Sequence, residues 1–517
     1  MGGRIELEFG FSTPRKGSPP RETDPMQILV LGDFSASSSL HKDKPLSECR
    51  IRMLDIDNLD RMLSQFAPAL ELQMNDGLMV PVSFSEMDDF HPDSLYQRLA
   101  VFDELRDISQ RLSDSQTFPQ AAAQLRAMQN TAIGETPPKQ AVDGTLTASD
   151  ENDSSTFERL LGNPPTADKS SSGQHARTAV ERLIGEAIKD KIVPEAAPEQ
   201  HVYTTAAEDA ISKLMRQILQ HPEFKALEAL WRGLEFLVQR IELDEILTLS
   251  VCDISRDELL SDFQRAGENL EQSGLYQRLV TQGIQTPGNS PWSLIVGAYT
   301  FDASASDIAA LAALGTISAQ AGGTFLAAAS PAILGCVSLS DTPNPHDWIP
   351  EAQASDNWNA LRKSQIAPWI GLALPRMLMR LPYGENTDEI EQFSFEEITT
   401  PGSVNELLWG NPAFACAQLI AQGFTERGWQ MQPDDFHDIG ELPAYSYQDD
   451  GEWEVAPCSE VFLTETALHA ILSHGLMPLA SLKNTNSVRL LRFQSISDAT
   501  PKLRGEWSER ASGQHLR

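Results

Sequence analysis

The sequence predicts an α/β protein in two parts: a compact α+β unit, then a larger α/β domain with a mixed or parallel sheet. Three observations carry this expectation. Short apolar runs of strand type alternate with stretches of helical periodicity, the pattern of a sheet covered by helices. A Ser/Thr/Pro/Gly/Asp-rich stretch from 131 to 175 divides the chain; that composition buries too little apolar surface to offset its ordering entropy, so it is expected to be a flexible linker. The 517 residues leave room for several domains around it.

Taken in order, residues 1–25 read as a terminal strand and tether. The strand, 4–11, alternates Ile5, Leu7 and Phe9 with polar residues, and a Pro/Gly/Ser-rich tether follows. The first module spans 26–130. Residues 27–31 read as a strand of buried type, apolar from Ile28 to Leu31 and closed by Gly32-Asp33-Phe34. Asp57 is expected to cap a helix on which Leu59, Met62, Leu63 and Phe66 recur at helical spacing up to Pro68. Residues 70–72 and 78–84 flank Asn75-Asp76-Gly77, a hairpin signal. One helix is expected from Ser94 through Leu95, Leu99, Phe102, Leu105, Ile108 and Leu112.

The second module spans 176–493, with a C-terminal tail at 494–517. Val180, Leu183, Ile184 and Ile188 mark one helix; Ile211, Leu214, Met215, Ile218 and Leu219 mark another, ending at His221-Pro222. Proline suits a first helical turn, so a further helix starts there with Leu227, Leu230, Leu234 and Leu237 on one face. A strand at 246–252 precedes Ser255-Arg-Asp-Glu258, which fits a capping box. Strand-like runs recur at 293–298, 325–329 and 369–374, separated by helical patterns.

Composition narrows function. With 73 acidic against 40 basic residues the net charge is −33, which repels nucleic acid and anionic membranes. The densest basic stretch is Arg15, Lys16 and Arg21 in the head. No apolar run approaches the ~20 residues of a membrane span, and the N-terminus lacks the features of a signal peptide. The five scattered cysteines read as thiols of a reducing compartment, which points to the cytoplasm. No phosphate-binding loop, strand-associated GxGxxG, HExxH or GxSxG is present. Asp88-Asp89, Glu396-Glu397 and Asp449-Asp450 read as solvated faces of an acidic chain, and Arg376 and Arg380 as a solvated helix face. No catalytic, cofactor or metal site is expected, and the chain is not expected to be an enzyme.

Several strings carry a family resemblance. In the first module these are Ile28-Leu-Val-Leu-Gly32-Asp33-Phe34, Leu54-Asp-Ile-Asp-Asn-Leu-Asp60 with Leu70-Glu-Leu72, and Phe90-His-Pro92-Asp-Ser-Leu95. In order, they resemble the small sheath subunit of type VI secretion, TssB (VipA). In the second module, Ile218-Leu-Gln-His-Pro222-Glu-Phe224 runs on to Leu227-Glu-Ala-Leu-Trp231-Arg232-Gly233-Leu234. Gly297-Ala-Tyr-Thr-Phe301, Leu374-Pro375-Arg376, Leu381-Pro382-Tyr383-Gly384 and Leu408-Trp409-Gly410-Asn411 follow. These resemble the large subunit, TssC (VipB). The chain therefore looks like a fusion of both sheath subunits.

The resemblance implies function through assembly. It implies a protomer that polymerises with copies of itself around a tube of Hcp-type rings, contracts to drive the tube outward, and meets baseplate proteins. It also implies exchange of terminal strands between protomers, for which Ile5, Leu7 and Phe9 at one end and Val488, Leu490 and Phe493 at the other are the candidates. Fusion would fix the subunit ratio and raise the local concentration of each half. The helix by which a ClpV-type AAA+ ATPase recycles such sheaths is reduced here to Phe157, Leu160 and Leu161 in the linker. Two alternatives stay open: a non-polymerising cap, initiator or baseplate adaptor, and an α/β enzyme or small-molecule binder.

Overall fold

A computed structural model describes residues 24–36, 45–75, 77–123, 200–286 and 290–507. The head strand with Ile5, Leu7 and Phe9, the helix expected at 180–188 and the linker residues Phe157, Leu160 and Leu161 lie outside these segments.

Fifteen strands are described. They are β1 Met26–Gly32, β2 Ile51–Leu54, β3 Ala69–Gln73, β4 Met79–Ser83, β5 Leu247–Asp253, β6 Leu294–Phe301, β7 Thr324–Ala329 and β8 Ile370–Leu374. Further along come β9 Met377–Leu378, β10 Trp409–Gly410, β11 Asp438–Ile439, β12 Ser446–Asp449, β13 Glu452–Val455, β14 Met477–Ser481 and β15 Val488–Leu490. The principal helices are α1 Leu59–Phe66, α2 Pro92–Arg98, α3 Asp103–Ser113, α4 Gln200–Leu219, α5 Pro222–Arg240, α6 Arg256–Ala266, α7 Ala305–Ala321, α8 Ala352–Arg362, α9 Ala413–Arg427 and α10 Glu465–Ser473.

Nine strands make one mixed sheet in the order β11-β15-β14-β8-β7-β6-β1-β5-β2. Its centre, from β5 to β14, is parallel; β2 at one edge and β15 with β11 at the other run antiparallel to their neighbours. The first part of the chain therefore builds only the two-stranded β3–β4 sheet of its own among the described residues, and adds its leading strands to the large sheet. Its leading strand, β1, lies parallel between β5 and β6, and its second strand, β2, pairs with β5.

Burial on both faces explains why 28–31 reads as a continuous apolar run. Ile28 and Val30 enter the core layer of α1, α4, α5 and α9, whereas Leu29 and Leu31 enter the layer of α6, α7 and α8. Side chains alternate along a strand, so a central parallel strand is apolar almost throughout.

Local chemistry follows the sequence at most element ends and departs from it at two. The capping box forms, with the Ser255 amide donating to Glu258 Oε2 at 2.8 Å and the Glu258 amide to Ser255 Oγ at 3.2 Å. Pro222 opens α5 behind His221, whose ring accepts from the Glu223 amide at 3.4 Å. The expected cap Asp57 is a correction: it lies inside a 3-10 turn, Ile56–Asn58, that leads into α1. Asp55 and Asn58 box that turn with their side chains joined at 2.7 Å, while α1 itself starts behind Asn58 without a side-chain cap bond. The single helix from Ser94 is broken at Leu99, where the backbone turns extended between α2 and α3. The break points Leu99 and Phe102 into the core, and the Arg106 guanidinium satisfies the Tyr96 carbonyl left at the end of α2. The expectation of thiols throughout also needs correction, because Cys49 and Cys252 are joined as a disulfide beside β2. Cys336, Cys416 and Cys458 are free and buried.

The segment after Phe493 is packed as far as residue 507. The Ile496 amide donates to the Ile370 carbonyl at 2.9 Å and the Arg504 amide to that of Pro368 at 2.8 Å. Trp507 is fully buried, and Glu506 meets the Ser293 hydroxyl at 2.8 Å.

Candidate functional site

The residues of the two halves that carry the motifs meet along α5. Gly32 ends β1 against Leu230, and a Cβ there would lie 3.1 Å from Leu230 Cδ1. Two residues on, Phe34 packs against Phe66 and Trp231, with ring centroids 5.8 and 5.7 Å away. The Trp231 indole donates to the Phe34 carbonyl at 3.1 Å, a buried bond across 197 residues of sequence. Burial of an indole requires such a partner. Asp33, between them, is half-buried at the mouth of a cleft that also reaches Tyr299. At the start of α5, Phe224 closes a trio with Phe84 and Phe90, whose rings stack at 4.2 Å. Pro92 opens α2, and the Asp93 carboxylate behind it accepts from the amides of Glu391 and Gln392, each at 3.1 Å.

Below these aromatics lies a buried ion cluster. Arg380, 7% exposed, is held between two carboxylates, Glu228 at 0% and Glu397 at 2%. Its Nε and Nη2 donate to Glu228 at 2.7 and 3.2 Å, and its Nη1 and Nη2 to Glu397 at 2.7 and 3.1 Å. Arg232, one helical turn after Glu228, donates to it at 2.8 Å and reaches the Tyr383 hydroxyl at 3.3 Å. Glu397 also accepts from the Tyr383 amide at 3.0 Å. The Arg380 guanidinium lies over the Tyr383 ring at 4.1 Å, and His91 of the first half meets that ring edge-on at 5.0 Å.

Burial pushes the Glu228 carboxyl up, yet Arg380 and Arg232 outweigh it and hold the group below its ordinary range. Burial alone would lower Arg380, but the two glutamates keep it firmly protonated. Burial pushes the Tyr383 phenol up. At the rim, Lys225 donates to Gln220 Oε1 and to the carbonyls of Asn405 and Glu406 at 3.0 to 3.2 Å. Burial pulls its amine down to about 8.

Chemically, this arrangement fixes geometry. The two acids and two arginines satisfy one another in an enclosed space, which suits a register pin between α5 and the 377–397 segment. The remaining motif residues serve close approach. A Cβ on Gly233 would sit 2.3 Å from the Phe414 ring, one on Gly384 2.2 Å from Glu396, and one on Gly410 2.2 Å from Met379 Sδ. Trp409 and Gly410 form β10 against β9, and the Trp409 indole donates to the Val404 carbonyl at 2.7 Å. Asn411 bridges, donating to the Tyr299 carbonyl at 3.0 Å and accepting from the Ala413 amide at 2.9 Å. Pro375 and Arg376 form the corner after β8, where Arg376 pairs with Glu460. Pro382 borders a surface groove next to Tyr383.

Two expectations are corrected here. Arg380 is not on a solvated helix face, and neither Glu397 nor Asp89 is solvated: Arg380 and Glu397 are buried in the ion cluster, and Asp89 is buried where it accepts from the Ser85 amide and hydroxyl. Glu228 was not singled out at all. Its signal was a glutamate on the apolar face of α5, four residues before Arg232. The candidate exchange residues Val488, Leu490 and Phe493 are buried within this chain, and β15 pairs with β14 and β11 of its own sheet.

Two family models match the chain, one in each part. Residues 203–497 match the VipB family, described as EvpB/VC_A0108, tail sheath N-terminal domain. Residues 4–146 match a second family, described as Type VI secretion system, VipA, VC_A0107 or Hcp2. The type VI secretion system sheath protein TssC1 of Pseudomonas aeruginosa is 33% identical over 328 residues, covering 62% of this chain and 66% of that protein. The match thus spans slightly less than two thirds of the relative's length. The chain belongs to the type VI secretion sheath family, and carries a VipA/TssB domain and a VipB/TssC N-terminal domain in one polypeptide.

Proposed function

We propose that the chain is a preassembled structural protomer of a contractile sheath, which polymerises helically around an Hcp-type inner tube and contracts to propel it. One observation carries this reading: the motifs of both sheath subunits converge on one shared sheet and one buried ion cluster. A unit that must slide against its neighbours during contraction has to move as a rigid body, and interlocking the two halves through β1 supplies that rigidity. The terminal strand 4–11, with Ile5, Leu7 and Phe9, adds to the sheet of a neighbouring copy; residues 488–493 form the other exchange element. Cytoplasmic baseplate proteins and, through Phe157, Leu160 and Leu161, a ClpV-type ATPase are the further partners. No helix of the described residues is long and apolar enough to cross a membrane.

A second reading, a non-polymerising cap, initiator or baseplate adaptor, is favoured by the pairing of β15 on both sides within its own chain. Negative-stain microscopy of the purified chain separates the two. Long tubes with a cogwheel cross-section are expected; discrete particles at every salt concentration would refute polymerisation. Removing residues 1–11 is expected to abolish tubes while leaving the unfolding transition unchanged.

A further inference from the structure

The Cys49–Cys252 disulfide joins the two halves of the chain across 203 residues of sequence. Its ends differ in access. Cys252, near the end of β5, is fully buried and paired with Leu31 of β1 on one side and Ile51 of β2 on the other. Cys49 is half-buried in the turn between the 3-10 helix Leu46–Glu48 and β2, outside any strand. A reagent from solvent therefore meets Cys49 first. Both side chains belong to the layer of α6, α7 and α8, where Cys49 packs against the core that contains Cys252.

The bond closes on an edge of the main sheet. β2 has four residues, pairs on one side only, and leaves Met53 62% exposed. The second half also holds the turn before β2. Arg278 Nε donates to the Cys49 carbonyl at 2.7 Å, and a Cβ on Gly274 would stand 2.8 Å from the Ser47 amide nitrogen. Neither contact involves a sulfur, so both keep Cys49 beside β5 whether or not the bond is made. The other three cysteines do not compete. Cys336, Cys416 and Cys458 are free and buried, and burial pushes their thiols up to about 11, 12 and 11. Almost none of the reactive thiolate exists there near neutral pH. In the cytoplasmic setting proposed above, thiols are kept reduced, and a disulfide there is characteristically transient and redox-sensing.

We propose that Cys49 and Cys252 form a reversible thiol-oxidation site, whose reactant is a small disulfide of the glutathione class and whose closure locks β2 onto β5. Cys49, as thiolate, attacks one sulfur of the small disulfide and forms a mixed disulfide. The first small thiol leaves and takes up the proton that Cys49 lost. Cys252 then gives up its proton and attacks Cys49 Sγ; the mixed disulfide breaks and the second small thiol leaves, protonated. Two protein thiols are oxidised to one disulfide, and one small disulfide is reduced to two thiols. Excess small thiol reverses both steps. Closed, the bond ties the halves covalently; open, it leaves the joint to β1 and lets the β2 edge separate from β5. The proposal needs the shared sheet, but neither polymerisation nor contraction.

The test uses the full-length protein with a protease site placed between residues 131 and 175. It is equilibrated in oxidised or reduced glutathione, alkylated, cleaved and run on a non-reducing denaturing gel. Of the five cysteines only Cys49 precedes the site, so a joined band must run through it. In oxidised glutathione the fragments are expected to migrate together at the mass of the intact chain. In excess reduced glutathione they should separate, and return to oxidised glutathione should restore the joined band. Cys252→Ala should abolish that band and Cys336→Ala leave it. Peptide mapping of the unsubstituted protein reads the same link and should give a Cys49–Cys252 pair. Hydrogen exchange at the amides of 51–54 should slow by more than about tenfold on oxidation. No joined band at any glutathione ratio, a band that survives in Cys252→Ala, or Cys49 mapped to another partner would overturn the assignment. A band that reduced glutathione does not open would overturn reversibility, and unchanged exchange would overturn the lock. Native size exclusion keeps the fold separate from the redox chemistry: with the bond open, the cleaved halves should still co-elute, because β1 remains in the sheet. Separation there would contradict the shared fold and leave the redox site standing.

Discussion

Replacing Arg380 by methionine should be among the most costly single changes in this protein. The substitution removes four charge-assisted bonds and keeps most of the side-chain volume. Glu397 would keep the Tyr383 amide and a long contact from Gln220 at 3.3 Å; Glu228 would keep Arg232. Leaving a buried charge without its partner typically costs about 3–5 kcal/mol, against about 5–15 kcal/mol for the stability of a whole domain. Arg376, four residues away, is the internal control. It also pairs with a glutamate, but at 53% exposure, where a pair contributes only about 0–1 kcal/mol. Urea unfolding of Arg380→Met and Arg376→Met at pH 7.5 measures the difference. The deficit of Arg380→Met should also depend on pH. In the native protein Glu228 titrates below its ordinary value, so its contribution is present above the unfolded pKa of ~4.3 and lost as pH falls through the folded one. In the variant, burial is opposed by Arg232 alone and the folded pKa rises. The deficit should then shrink on going from pH 8 to pH 5. Equal costs for the two variants, or a deficit independent of pH, would refute the pinning role.

Gly233→Ala should destabilise by about 1–3 kcal/mol despite alanine's higher helix propensity, because its Cβ would press on the buried Phe414 ring; thermal unfolding measures it, and a neutral result would contradict the packing. Lys225 predicts a rise of stability with pH. Its folded amine titrates near 8 and the unfolded amine near 10.5, so unfolding takes up a proton between those values and stability increases across that window. Lys225→Met should flatten the rise in urea midpoints between pH 7.5 and 9.5, and an unchanged slope would exclude Lys225 as its source.

Much of the fold was legible because local chemistry and tertiary context agree. The apolar run before Gly32, the Asn75-Asp76-Gly77 turn, the Ser255–Glu258 box and the Pro222 start each describe an element whose own residues determine it. What could not be read, beyond the β3–β4 hairpin, is the partner of each strand of the main sheet. Nothing in 26–32 specifies insertion between β5 and β6, which lie more than 200 residues later. A strand apolar on both faces demands only two covered faces and two neighbours, and neighbours within one module or from another satisfy that equally. The ion cluster was hidden for a related reason. In an acidic sequence Glu228 and Glu397 resemble surface carboxylates, and only the fold brings Arg380 between them. Motif glycines were recognisable, but their physical role, admitting Phe414 or Met379 against the backbone, required the structure.

The central claim is that both sheath domains form one folded body through β1. Five side chains of that strand, Met26, Ile28, Leu29, Val30 and Leu31, are fully buried, worth together about 8–15 kcal/mol in area terms. That is comparable with the stability of a whole domain, so neither half should persist alone. A protease site placed between residues 131 and 175 tests this directly. After complete cleavage, the two fragments should co-elute on size exclusion at the mass of the intact chain and unfold in a single transition. Separation into two independently folded pieces under native conditions would contradict the account.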